Sequence, residues 1–170
     1  RYVVLDVTFQ LRLGDLSTPV AYADLARGLG VDVGARVPLA AAREAVLAQR
    51  GRRGMVLDAD DHDTWSTGSF FTNPVLPASA GLPDEAPRYP AGDDLVKTSA
   101  AWLIEHAGFA RGFGAPGPAT VSTKHTLALT NRGDASTDDL LALARTIRDG
   151  VADRFGIRLE PEPVLVGVTL

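Results

Sequence analysis

Apolar and polar positions alternate from the first residues of the chain. Val3, Leu5, Val7, Phe9, Leu11 and Leu13 fall on one side, and Val4, Asp6, Thr8, Gln10 and Arg12 on the other. That period of two is the mark of a half-buried strand. A strand of this length needs partners, either from further along or from a preceding part of the chain. The start at Arg1, without a methionine, leads us to expect a fragment.

Beyond Gly14-Asp15 the periodicity lengthens to that of helices. "AYADLARGLG" predicts a short amphipathic helix ended by Gly28 or Gly30, and "PLAAAREAVLAQRGRRG" a helix opened by Pro38 and running to Gly51. In "LVKTSAAWLIEHAG", Ala100, Leu103, Ile104 and Ala107 form an i, i+3, i+4, i+7 stripe before Gly108. The strongest helical signal is "STDDLLALARTIRDGVADRFG". Ser136 is placed to cap it, with Asp139 three residues on as in a capping box. Leu140, Leu143 or Ala144, Ile147, Val151 and Phe155 supply its buried stripe, ahead of Gly156.

"ATVSTKHTLALTN" and "IRLEPEPVLVGVTL" read as strands, the second broken by Pro161 and Pro163, which belong at an edge or a break. "DADDHDTW" and "PASAGLPDEAPRYPAGDD" read as turn-rich segments, the latter a surface loop. In "TWSTGSFFTNPVLP", Gly68-Ser69 and Asn73-Pro74 are turn formers that flank Phe70-Phe71, a pair suited to a core. No internal repeat is visible.

Composition narrows the class. At 170 residues and 45% apolar content the chain can bury a core of ordinary domain size. A net charge of −4 with the two signs interspersed leaves no basic stripe, so nucleic acid is not an expected partner. The absence of cysteine excludes disulfides, thiolate catalysis and cysteine-ligated metals. No run approaches the ~20 apolar residues of a membrane span. A cytoplasmic protein with no membrane partner is the expectation.

Candidate chemistry is sparse when read from the residues alone. Asp58, Asp60, Asp61, His62 and Asp63 invite a metal reading. A calcium loop, however, wants glycine at its sixth position and glutamate at its twelfth, where this chain has Asp63 and Ser69. No metal site is expected. His125 is a lone histidine beside Lys124, more often a packed or surface residue than a ligand. "GFARGFGAPGPA" lacks the spacing and the strand–loop–helix order that cradle phosphate, so it reads as a loop. Glu160 and Glu162, two apart on an extended chain, share a face and would shift each other's pKa if buried, whereas a solvated edge is the plainer reading. These residues specify an α+β domain with a candidate carboxylate and hydroxyl site.

Four motifs in order then carry a resemblance: "GSFFTNPVL", "YPAGDDLVKTSAAWLIEHAGFARG", "VSTKHTLALTN" and "FGIRLEPEPVLVG". Together, over roughly Arg43–Gly167, the chain resembles the C-terminal part of UDP-N-acetylenolpyruvoylglucosamine reductase, MurB, in its actinobacterial branch. The resemblance implies that residues 1–38 are the end of a flavin-binding α+β domain. It also implies that 39–158 form the substrate-binding domain and 159–170 a strand carrying a catalytic glutamate. Most of the flavin-binding domain, with its phosphate loops and the family's catalytic arginine, has no counterpart here.

The implied chemistry passes reducing equivalents from NADPH through FAD to the enolpyruvyl group of UDP-N-acetylglucosamine enolpyruvate, giving UDP-N-acetylmuramate for peptidoglycan synthesis. Ser69 matches the family's proton donor and Glu162 its catalytic glutamate, which would help stabilise the enolic intermediate, burial beside Glu160 being one way to raise its pKa. Asn73 matches a substrate-binding asparagine. Arg53 stands where a basic residue contacts phosphate or cofactor, usually a lysine, and Tyr89, Lys97 and His125 fall on the substrate side. Pro163 departs from the family's more usual valine. The chain alone is expected to be inactive, with the flavin-binding part of the same protein as its partner. The alternative is a non-catalytic UDP-sugar binding module, which would not need Ser69 and Glu162 together.

Overall fold

The computed structural model describes residues 2–170 and shows helices together with antiparallel sheets, an α+β arrangement. Two compact units divide between Arg50 and Gly51.

In the first unit, α1 (Ala23–Leu29) ends on Gly30, whose left-handed backbone (φ 68°) returns its N–H to the last turn. Val20, Ala26 and Val37 bury a small apolar cluster. Backbone bonds from Ser17 to Val37 (2.8 Å) and from Val20 to Ala35 (2.9 Å) close the loop around it. α2 (Leu39–Gly51) follows Pro38 as the proline signal predicts, and buries none of its residues. The strand expected over Val3–Leu13 is not formed. The segment carries no strand assignment, and its apolar side chains are exposed, Leu5 to 90%. Strand geometry is sustained by a neighbour's N–H and C=O groups, and among the described residues none pairs with it.

The second unit is built on two three-stranded antiparallel sheets. One orders β1 (Ser66–Ser69), β6 (Ala128–Asn131) and β5 (Ala119–Val121), and the other β2 (Val75–Pro77), β4 (Leu95–Lys97) and β3 (Tyr89–Pro90). The single strand expected over 119–131 is therefore a hairpin. Ser122–Leu127 turn the chain, and β5 and β6 pair with Thr120 opposite Thr130, their buried hydroxyls 3.1 Å apart. The period-two pattern ran through this turn because its residues pack inward as well, with Ser122 and Thr126 both buried. The segment 78–94 is more than a surface loop. It contributes β3 and buries Leu82 and Ala86, and the Arg88 guanidinium fastens it by donating to the carbonyls of Leu82 and Asp84.

α3 (Ala100–His106) starts at Ser99, whose hydroxyl accepts from the Trp102 N–H. It buries Ala100, Leu103 and Ile104, as its stripe predicts. α4 (Thr137–Phe155) carries the expected capping box, Ser136 and Asp139 satisfying each other's backbone. It buries Leu141, Leu143, Ala144, Ile147 and Val151. Gly150 inside α4 costs about 1 kcal/mol of helix propensity relative to alanine. The ring of Phe109 explains it, since a Cβ there would lie 2.4 Å from Phe109 Cζ. Phe71, Leu103, Ile104, Ile147, Val151, Val121 and Leu159 form the fully buried centre, each large side chain contributing roughly 1.5–3 kcal/mol of transfer free energy.

The chain end is not the strand expected over 159–170. One bridge pairs Pro161 with Phe71, and the residues after it bend. Prolines at 161 and 163 withhold the N–H groups a ladder requires.

Candidate active site

Ser69 closes β1 beside an irregularity in the sheet. Ser66 pairs with Thr130 and Ser69 with Ala128, so β1 spends one residue more than β6 over the same interval, a bulge. Gly68 takes the extra turn at φ 85°, a conformation that glycine adopts without penalty. The Ser66 hydroxyl accepts the Gly68 N–H at 3.2 Å and fixes the bulge locally. Phe70 and Phe71 then turn into the core, 8% and 1% exposed, with their rings edge to face at 5.1 Å.

Glu162 reaches Ser69 through the backbone of its neighbours. The Glu162 N–H donates to the Phe70 carbonyl (2.8 Å), and the Thr72 N–H donates to the Glu160 carbonyl (3.0 Å). This short antiparallel splice joins the two motifs, and a concavity of about 350 Å³ opens beside it, lined by Thr67, Ser69, Glu162 and Pro163. Glu160 does not share that hollow. It lines a separate one with Arg148 and Arg158, and both glutamates are exposed. The expected burial of Glu162 against Glu160 is thus absent, because the chain bends after Pro161 and the alternation of faces is lost.

The remaining candidates fall into separate places. Tyr89 and Lys97 lie directly opposite each other across β3 and β4, and Lys97 also faces Val75 on β2, so sheet register puts phenol, ammonium and an apolar side chain in one row. Asn73 stands just before β2, and its Oδ1 accepts the N–H of Ala100 at 2.9 Å, helping to cap α3. Arg53 and His125 are electrostatically coupled. Burial holds the His125 imidazole below its ordinary pKa of 6.5, and the Arg53 charge adds to the effect. His125 occupies the β5–β6 turn rather than a strand, its N–H donating to the Ser122 hydroxyl. None of these five residues lines the hollow of Ser69 and Glu162.

The acidic cluster is occupied with structure. Asp61 caps the 3-10 turn His62–Thr64 and pairs with Lys124, whose ammonium lowers the Asp61 pKa. Asp63 is 4% exposed. Burial works against its charge, but the side chain and backbone N–H of Thr123, the Ser122 hydroxyl and Arg132 outweigh that and hold its pKa below 3.8. Among the described residues no group of three or more histidine and acidic side chains is placed to hold a metal. Nor is any helix long and apolar enough to cross a membrane.

Two features escaped the sequence reading. Thr67 lines the hollow beside Ser69; its position two residues before Ser69 was the available signal. Asp63, placed within a suspected metal cluster, is a buried anchor, and only its partners at Thr123 and Arg132, far along the chain, reveal that.

Residues 60–166 match the family described as UDP-N-acetylenolpyruvoylglucosamine reductase, C-terminal domain. Proteins named UDP-N-acetylenolpyruvoylglucosamine reductase are similar along all of this chain. That of Streptomyces avermitilis is 60% identical and has 50% of its own length covered. Those of Streptomyces coelicolor and Cutibacterium acnes are each 58% identical, with 48% and 46% covered. The chain spans about half the length of the curated relatives it matches. With the match running from residue 60 to residue 166 and named relatives 58–60% identical along the chain, the chain belongs to the UDP-N-acetylenolpyruvoylglucosamine reductase family, with the C-terminal domain over those residues.

Proposed function

We propose that this chain is the substrate-side half of an NADPH-dependent, FAD-mediated reductase that converts UDP-N-acetylglucosamine enolpyruvate to UDP-N-acetylmuramate in the cytoplasm, for peptidoglycan synthesis. The observation that carries the reading is the shared hollow of Ser69 and Glu162, assembled from motifs at opposite ends of the second unit. A non-catalytic sugar-binding module would have no use for that pairing. On this reading residues 39–158 bind substrate, 159–170 bring the glutamate, and 1–38 are the end of the flavin-binding domain.

FAD, when bound, relays a hydride from NADPH to the vinyl group of the substrate. Charge then accumulates on the neighbouring carbon and its carboxylate, and an acid must protonate that carbon. Ser69 is the donor. A hydroxyl is a weak acid in water, so its use depends on position, which the bulge at Gly68 and the Phe70–Leu127 backbone bond (2.7 Å) supply. Glu162, at the same hollow, helps stabilise the enolic intermediate. Asn73, Tyr89, Lys97, Arg53 and His125 hold the UDP-sugar: Lys97 and Arg53 supply cationic contacts and Tyr89 an aromatic face.

Among the described residues the glycine-rich segment forms no dinucleotide cradle. Gly112, Gly114 and Gly117 lie in consecutive turns that lead into β5, not a helix, so no helix N-terminus is aimed at a phosphate there. Purified alone, the chain should be colourless and oxidise no NADPH. A full-length family protein carrying it should be yellow and oxidise NADPH once UDP-N-acetylenolpyruvoylglucosamine is added. A stoichiometric flavin on the isolated chain, or a full-length protein indifferent to the UDP-sugar, would overturn the reading.

A further inference from the structure

The segment that brings Glu162 to the hollow is tied down on either side of it. Ahead, the Glu162 N–H donates to the Phe70 carbonyl, the last bond of the splice. Pro163 has no N–H to give, and among the described residues no backbone bond engages residues 163–170. The far end is held differently. The Arg145 guanidinium, on α4, donates to the Thr169 carbonyl at 2.6 Å, and Leu170 packs against the main core. Between these two points the chain bends at Gly167 (φ 74°) and leaves Val164 and Val166 exposed.

We infer that Arg145 is a positioning residue for Glu162, pinning the strap of residues 163–170 by its clasp on Thr169. The inference rests on the functional reading above and deepens it. The splice fixes the peptide plane ahead of Glu162, but the side chain turns with φ about the N–Cα bond, and that angle is set by where the following chain goes. A residue before proline keeps a φ window of about 80°. Across such a window a glutamate's carboxylate travels several ångströms, whereas a catalytic group about 1 Å out of place can lose on the order of 10²-fold in rate. The far anchor narrows that window. Asp149, the nearby acid on α4, takes its ion pair from Arg148 at 2.8 Å, which leaves the Arg145 donors to Thr169. The clasp lies wholly within the second unit, so it does not wait on the flavin-binding part.

Arg145→Met keeps the aliphatic stem on α4 and removes the donors. In the full-length protein it should slow flavin reoxidation by UDP-N-acetylenolpyruvoylglucosamine about 5- to 50-fold, within the cost of misplacing one group, and leave flavin reduction by NADPH unchanged. Gly167→Ala should do the same, because a Cβ there meets no atom but strains the left-handed bend that delivers Thr169 to Arg145. A second background shows whether the clasp acts through Glu162. With Glu162→Ala already present there is no carboxylate left to position, so adding Arg145→Met should slow reoxidation by less than about 2-fold further. Normal reoxidation by a folded Arg145→Met would overturn the inference. The full loss repeated in the Glu162→Ala background, or equal slowing of the NADPH step, would do so by marking the clasp as structural. If Arg145→Met does not fold, Gly167→Ala decides by the same criteria. A Glu162→Ala variant that reoxidises at the normal rate sinks the functional reading itself, whereas a Glu162→Ala loss beside a normal Arg145→Met sinks the Arg145 assignment alone.

Discussion

Ser69→Ala in the full-length enzyme should leave flavin reduction by NADPH close to its normal rate. Reoxidation of the reduced flavin by the enolpyruvyl substrate should slow by a factor on the order of 10² to 10⁴ or more, the usual worth of a positioned acid. The split follows from timing, because the serine proton is needed only once hydride has reached the substrate. Packing gives no alternative cause. The substitution keeps Cβ, and Ser69 is only half-buried, so stability should change by no more than ~1–2 kcal/mol. Stopped-flow absorbance of the flavin separates the two half-reactions. Equal slowing of both, or unfolding, would make Ser69 a turn residue that serves Phe70 and Phe71.

The largest structural effect should come from Asp63. Its carboxylate accepts from the Thr123 N–H at 2.9 Å and from Arg132 at 3.0 Å, and joins the 3-10 turn to the β5–β6 hairpin and to the residue after β6. Asp63→Ala strips the partners from those donors at a nearly closed site and should cost about 2–4 kcal/mol in urea denaturation. The pH dependence has a definite sign. Because the folded-state pKa lies below the ordinary 3.8, the contribution is fully present above that value. It is lost as pH falls through the lower, folded-state pKa. The stability gap between wild type and Asp63→Ala should therefore narrow in that acid range. A gap independent of pH would mean that shape, not charge, is what Asp63 contributes.

What could be read in advance depended on how local each signal was. α4 announces itself because a capping box and a 3.6-residue stripe lie within one continuous stretch. β1 and β3 do not, since strands of two to four residues give too few alternations, and a bulge breaks the period within β1. Val3–Leu13 shows the opposite failure: a clean alternation describes what a strand would bury, but nothing in the pattern supplies the neighbour that would make it one. The site followed the same rule. Ser69 and Glu162 were singled out from the resemblance, yet their meeting at one hollow depends on the splice of Phe70 to Glu162 and Thr72 to Glu160, which no spacing encodes. Glu160 was misplaced because a strict period of two was carried through Pro161.

That Ser69 and Glu162 work as one site is tested most directly by a double-mutant cycle on the rate of flavin reoxidation by substrate. Ser69→Ala, Glu162→Gln and the double variant would be compared in the full-length enzyme, with NADPH-driven flavin reduction as the internal control. Groups that act on one intermediate lose most of their joint effect when either is removed, so the double variant should be little slower than the worse single variant. Fully multiplicative losses, with each residue contributing its whole factor regardless of the other, would contradict the shared site.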